Sequence, residues 1–261
     1  MTLSHKLTIK LICDLIKIKC TQVKRRPIIH SNEECVENIL KVLKTGQQWN
    51  TLGKSYSTYH KRFCEWSNKG IFSDAFYFLQ KLSKFSNSMK TAFYIDSCVI
   101  RNKCGYDEIS HYYKIKCKRS VKITIIVGSN GLPVSLCVSK SSVHDVKFVM
   151  PAVSKIKLRT RKIKTLIGDC GYQQSQYREE FNKRGINYLY NQKKNLKNPF
   201  IMNPKEKQLL DNRFVVEKAF SNILSNRRLN VRYEQQVKHF ESFVYLAMID
   251  MTFTKLGSIM D

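Results

Sequence analysis

The stretch FYIDSCVIR, Phe93 to Arg101, sets one acid, Asp96, inside an otherwise apolar, β-prone run. Desolvating a carboxylate there is costly unless something compensates it, so the acid needs a reason. Two further stretches pose the same question. TLIGDCGY, Thr165 to Tyr172, puts Asp169 just past a short apolar run, and NRFVVEKAFSNIL, Asn212 to Leu224, puts Glu217 inside a helix-like one.

Working outward, the chain changes period near Thr91. Before it, apolar residues recur at helical spacing. Leu7, Leu11, Leu15 and Ile18 fall on one face, Ser31 with Glu34 reads as a capping box before CVENILKVLKTG, and Gly46 reads as its stop. Ser57 is placed to cap STYHKRFCEWSNKG, where Phe63 and Trp66 share a face and Gly70 ends the helix; FSDAFYFLQKLSK follows as another. Short helices with tight turns and a basic exposed face suit a helix-turn-helix, and equally an ordinary bundle with solvated Lys and Arg.

After Thr91 the period is that of strands: AFYIDSCVI, a hairpin KITIIVGSNGLPVSLCVS around Ser129-Asn130-Gly131, KTLIGD and INYLY. Helices are expected from His144 toward Ile156, from Tyr172 to Lys183 before Gly185, and from Lys205 to Asn226; Asn191 to Pro204 reads as a loop, and the closing HFESFVYLAMIDMTFTKL as an apolar helix too mixed to span a membrane. This order predicts an α/β protein: an RNase H-like mixed sheet flanked by helices, preceded by a small all-helical region. The expected domains are residues 1–88, helical and helix-turn-helix-like, and residues 89–261, RNase H-like. In such a sheet, sites gather at strand C-terminal ends, where neighbouring strands would bring Asp96 and Asp169 together.

Composition points the same way. Among 261 residues, 46 Lys and Arg face 20 Asp and Glu, a formal net charge of +26 spread along the whole chain. That excess favours a polyanionic partner, although the many Lys, Asn and Ile residues also fit a composition bias. The nine cysteines (Cys13, Cys20, Cys35, Cys64, Cys98, Cys104, Cys117, Cys137 and Cys170) form no CxxC, so most read as small buried residues of a reducing compartment. His111 between Cys104 and Cys117 is the nearest approach to zinc-ligand spacing. No signal peptide or transmembrane run is evident, which predicts a soluble, intracellular protein; the basic charge adds an expected association with DNA, in the cytoplasm and nucleoid of a bacterium or the nucleus of a eukaryotic or viral host. No Gly-rich phosphate loop is present, so ATP dependence is not indicated.

These stretches together resemble a known family, the DDE transposases of bacterial insertion sequences, IS-five group. FYIDSCVIR resembles its first-Asp segment, SNGLPVSLCVSKSSVHD its "GLP…HD" stretch, LIGDCGYQQSQYREEFNKRGI its second-Asp segment, and NRFVVEKAFSNILSNRRLNVRYE its Glu segment. STYHKRFCEWSNKGIF resembles the family's helix-turn-helix region. The chain departs where related groups place a Tyr before the Arg and a Lys after the Glu, since these positions hold Leu210 and Leu224, and where KIKCKRS stands in place of the usual glycines.

The resemblance implies metal-dependent DNA cleavage at element ends and strand transfer to target DNA, with Asp96, Asp169 and Glu217 as catalytic residues and ligands of Mg²⁺ (or Mn²⁺). Asp96 would bridge two ions, with Asp169 and Glu217 each holding one. The implied partners are double-stranded DNA, as terminal inverted repeats and target, and a second copy of the chain, with no membrane. Ser57, His60, Lys61 and Arg62 are candidates for terminal-repeat contact; Arg213, Lys218, Arg227 and Arg228 for phosphates near the metals, or else a solvated basic face. Singly, each acid also reads as an ordinary one: a strand-end acid, a turn acid before Gly171, and a surface partner of Arg213. His144-Asp145 could form a pair, but Asp145 at a helix start reads as a cap. Two rivals remain open: a catalytically decayed or domesticated DNA-binding protein, and an RNase H-like nuclease without strand transfer.

Overall fold

The computed structural model describes residues 2–20, 29–82, 91–112, 117–158, 163–192 and 200–257. The expected 88/89 boundary, the end of the FSDAFYFLQKLSK helix, the first three residues of KIKCKRS and the middle of the 191–204 loop lie outside them. Two compact units emerge, one from residues 1–79, 100–109 and 222–261, the other from 80–99 and 110–221.

The first unit is helical. It contains α1 (Leu3–Lys19), α2 (Asn32–Thr45), α3 (Tyr56–Asn68), most of α4 (Ile71–Lys81) and, from the far end of the chain, the last helix, Val237–Gly257. α2 starts where Ser31 Oγ accepts from the Glu34 N–H at 3.0 Å, and stops where Gly46 turns left-handed at φ 69°. The last helix is buried on nearly every side, which explains its mixed apolar sequence. α1 packs on it, and Phe243 from it stacks on Phe63 of α3 at 4.3 Å. Arg232 is fully buried beside it. It donates to the backbone oxygens of Asp107, Glu234 and Gln235 and to the Asp107 carboxylate, which also accepts from Val237 N–H at the helix start.

The second unit carries most of a mixed sheet, seven-stranded among the described residues: β1 (Ala92–Asn102), β2 (Ser110–Tyr112), β3 (Cys117–Gly128), β4 (Pro133–Lys140), β5 (Thr165–Gly168), β6 (Asn187–Tyr190) and β7 (Val231–Arg232). The order is β2-β3-β1-β5-β6. β4 pairs with β3 as an antiparallel hairpin, and β7 pairs with the end of β1 within the first unit. β1, β5 and β6 run parallel. The hairpin turns where expected, with Gly131 at φ 71°. The flanking helices are α5 (Val149–Ser154), α6 (Ser175–Lys183), α7 (Pro204–Asp211) and α8 (Phe214–Leu224), and the last helix of the chain is therefore α9. The fold is mixed α/β and RNase H-like, as the element order predicts.

Several local expectations are corrected. On α1 the buried face is Ile9, Ile12, Cys13 and Ile16, while Leu7 and Ile18 are exposed; two apolar faces of one helix satisfy the same spacing, and only the partner chooses between them. α3 begins at Tyr56, so Ser57 lies inside its first turn and does not cap it. The single helix expected from Lys205 to Asn226 is two, broken at Asn212-Arg213 without Gly or Pro, with Asn212 closing the first. The helix expected from His144 is a 3₁₀ turn, Asp145–Phe148, leading into α5. Of the cysteines with described side chains, Cys13, Cys35 and Cys137 are buried, whereas Cys104 and Cys170 are exposed.

Candidate active site

β1 and β5 pair in parallel as far as Tyr94 opposite Ile167. Asp96 and Asp169 each lie two residues further along, so the two strands deliver them side by side at the C-terminal end of β5. β1 is buried from Ala92 to Ile95 and opens at Asp96, the first partly buried residue of the strand.

Local bonds set both carboxylates. The Ser97 N–H donates to Asp96 Oδ1 at 2.8 Å, and the Gly171 N–H donates to Asp169 Oδ1 at 2.8 Å, so Asp169 caps the 3₁₀ turn Cys170–Tyr172. Tyr172 locks that turn to β1. Its buried hydroxyl meets Ser97 Oγ at 2.7 Å, and Ser97 Oγ meets Thr124 Oγ1 of β3 at 2.7 Å. Gly168 makes this possible, because a Cβ there would stand 2.7 Å from Tyr172 Cβ.

Burial pushes the Asp96 carboxyl up from 3.8 to about 6. The charges of Asp169 and Asp145 push the same way, opposed by the Ser97 N–H and the Arg213 guanidinium. Among the described residues, no Lys, Arg or His lies within 4 Å of either aspartate carboxylate. Arg213, in the turn before α8, has its Nε buried without a hydrogen-bond partner.

Glu217 sits in the first turn of α8, one turn beyond Arg213, and is exposed. Asp96 and Asp169 thus come together with Asp145, while Glu217 is not drawn into a closed set. Among the described residues, no three acids, histidines or cysteines lie close enough to enclose a metal ion. Asp96 and Asp169 nevertheless fit a hard divalent cation: they offer hard oxygens, they repel one another, and Asp96 is partly desolvated with no cation against it. Mg²⁺ keeps several waters and needs only one or two carboxylates.

The other candidates fall in two groups. Lys218 is exposed on α8, in the strand-rich unit. Ser57, His60 and Lys61 are exposed on α3 in the helical unit, where Arg62 reaches Asn32 and Cys35. Arg227 is exposed, but Arg228 is buried and paired with Glu234 at 2.8 Å. Ser97, Thr124 and Lys122 escaped the sequence reading. Lys122 offered the one legible signal, a cation opening the apolar run KITIIV.

Residues 87–249 match the family described as "Transposase DDE domain". The chain belongs to that family. The matched span takes in both aspartates, Glu217 and every strand of the sheet. No curated protein matches the chain. Membership makes this an enzyme of the transposase type, acting in transposition and DNA recombination, with DNA as its substrate. Among the described residues, no helix is long and apolar enough to cross a membrane.

Proposed function

We propose that this chain is a DDE transposase of the IS-five group that cuts DNA at the ends of its element and joins the freed 3′-hydroxyl to target DNA. The observation that carries the proposal is the pairing of Asp96 and Asp169 at the ends of parallel strands, with Asp96 partly desolvated and no cation against it. Asp96 and Asp169 would hold the metal, with Glu217 completing the ligand set once DNA and metal are bound. Mg²⁺ (or Mn²⁺), bound as a pair of ions, would supply activation of the attacking oxygen and stabilisation of the leaving one. The unpartnered Nε of Arg213 suits a phosphate oxygen beside Asp96. Lys218 and Arg227 would add phosphate contacts, and Ser57, His60, Lys61 and Arg62 would read the terminal inverted repeats, in a homodimer on double-stranded DNA. Residues 1–88 would serve end recognition and residues 89–261 the chemistry.

One observation favours the decayed-binder reading. Leu210, where related groups carry a Tyr, is buried in α7 and offers no phosphate contact. Nicking of a labelled element end in Mg²⁺ or Mn²⁺, with the end read from the DNA flanking the gene, separates the two. The wild type should cut, while Asp96→Asn, Asp169→Asn and Glu217→Gln should not. A wild type that binds its ends without metal-dependent nicking would give the binder reading the lead.

A further inference from the structure

A third aspartate stands at this site for a reason its sequence context conceals. Asp145 is the first residue inside a 3₁₀ turn whose cap position is held by His144, so it does not cap the turn. Its Oδ1 accepts instead from Lys122 Nζ at 2.6 Å, and that Nζ also donates to the Val143 carbonyl at 2.5 Å. The Lys122 side chain is only 4% exposed, whereas that of Asp145 is 31% exposed. A buried lysine therefore pins one oxygen of a carboxylate whose other side is open. The other oxygen has a direction. A Cβ added to Gly171 would stand 3.0 Å from Asp169 Oδ1 and 3.5 Å from Asp145 Oδ2, so the two acids face one small gap across a residue that has no side chain to fill it.

We infer that Asp145 is a positioning residue of the metal site: fixed by Lys122, its Oδ2 accepts a hydrogen bond from a water that the ion at Asp169 retains. Mg²⁺ and Mn²⁺ keep waters, whose hydrogens need acceptors, and partners outside the ligand set orient what the ligands hold. The lysine is integral to the arrangement. Without it a carboxylate packed near two others would turn toward solvent; with it, one oxygen is committed and the second is aimed. The inference rests on the proposed metal-dependent function of Asp96 and Asp169.

The test is Mn²⁺ binding by the full chain, read as loss of the free-ion electron paramagnetic resonance signal, beside the Mn²⁺ dependence of nicking. Asp145→Asn keeps the shape and an oxygen for Lys122 but turns an NH₂, a donor, toward the gap. It should weaken Mn²⁺ binding about tenfold or more, the usual effect of losing such a partner, and shift nicking to higher Mn²⁺ while the saturated rate stays near wild type. The double variant Lys122→Met with Asp145→Leu replaces an ion pair whose lysine is buried by apolar side chains, an exchange that buried pairs often tolerate, and should show the same loss of affinity. If Asp145→Asn fails to fold, the double variant decides alone. A shift of less than about tenfold in a folded variant would overturn the inference. A wild type that binds no Mn²⁺ would overturn the metal-dependent reading of the site instead.

Discussion

Asp96→Asn removes a charge whose cost is visible in the structure. The carboxyl is raised from 3.8 to about 6, chiefly by burial. A tenfold change in proton affinity is worth about 1.4 kcal/mol, which sets an upper bound of about 3 kcal/mol; solvent reaching this partly buried group should leave about 1–2 kcal/mol. The sign follows from linkage. The folded state holds the proton more tightly than the unfolded chain, so the associated stability is complete below 3.8 and is lost as pH rises through about 6. Asparagine keeps the Oδ1 that accepts from Ser97 N–H and never ionises. In metal-free buffer the variant should therefore match wild type near pH 4 and exceed it by about 1–2 kcal/mol near pH 8. Saturating Mg²⁺ should reverse the order, because only wild type gains from binding, by about 1.4 kcal/mol for each tenfold excess over Kd. Both tryptophans, Trp49 and Trp66, lie in the helical unit. The assay is thus urea unfolding followed by circular dichroism, with hydrogen exchange of the β1 and β5 peptides reporting the strand-rich unit. A difference independent of pH, or a variant weaker than wild type near pH 8 without metal, would refute the account of Asp96 as a desolvated, uncompensated acid.

The net charge of +26 should make DNA binding steeply salt-dependent. If about eight phosphates are neutralised, log K should fall against log salt with a slope near −7 in a filter-binding or anisotropy titration, and the triple alanine variant of Asp96, Asp169 and Glu217 should keep that slope. Gly168→Ala would press a methyl onto Tyr172 Cβ at 2.7 Å. It should cost about 1–3 kcal/mol in unfolding and reduce nicking by displacing the Asp169 turn; wild-type nicking would show that the turn does not depend on that contact. Arg232→Ala removes a fully buried cation and leaves three backbone oxygens and the Asp107 carboxylate without it, so urea unfolding followed by tryptophan emission should show a loss of about 3–5 kcal/mol.

The sheet was legible because its signals are local. The run around Asp96, the turn at Gly131 and the short apolar run before Asp169 each declare a strand within a few residues, and parallel pairing then places both aspartates at one edge without further information. What stayed hidden depends on a partner distant in sequence. Asp145 carries the mark of a helix-start cap, and only Lys122, on another strand, shows that its carboxylate is held elsewhere. The two apolar faces of α1 are equivalent in spacing, and α9 decides which is covered. The break at Asn212-Arg213 carries no Gly or Pro, so nothing local announces it, yet it leaves Arg213 in a turn one helical turn ahead of Glu217. Glu217 shows the limit of such reading: its place along the chain is clear, while the structure leaves it exposed and outside the group that Asp96 senses.

The helical unit joins segments far apart in the sequence, and this gives synthesis an order. α1 to α4 leave the ribosome before α9, so α1 and Phe63 at first lack the helix on which they pack. At about 5–20 residues per second, α9 follows α1 by roughly 10–50 s. During that interval the early helices offer apolar surface to chaperones, to one another and to neighbouring nascent chains. A product that stops before Val237 would carry both aspartates and Glu217 yet lack the helix on which α1 and Phe63 pack. Termination before Val237 would thus release chains with every candidate metal ligand and a helical unit that lacks α9, so synthesis of Val237–Gly257 would decide whether a copy can complete its helical core.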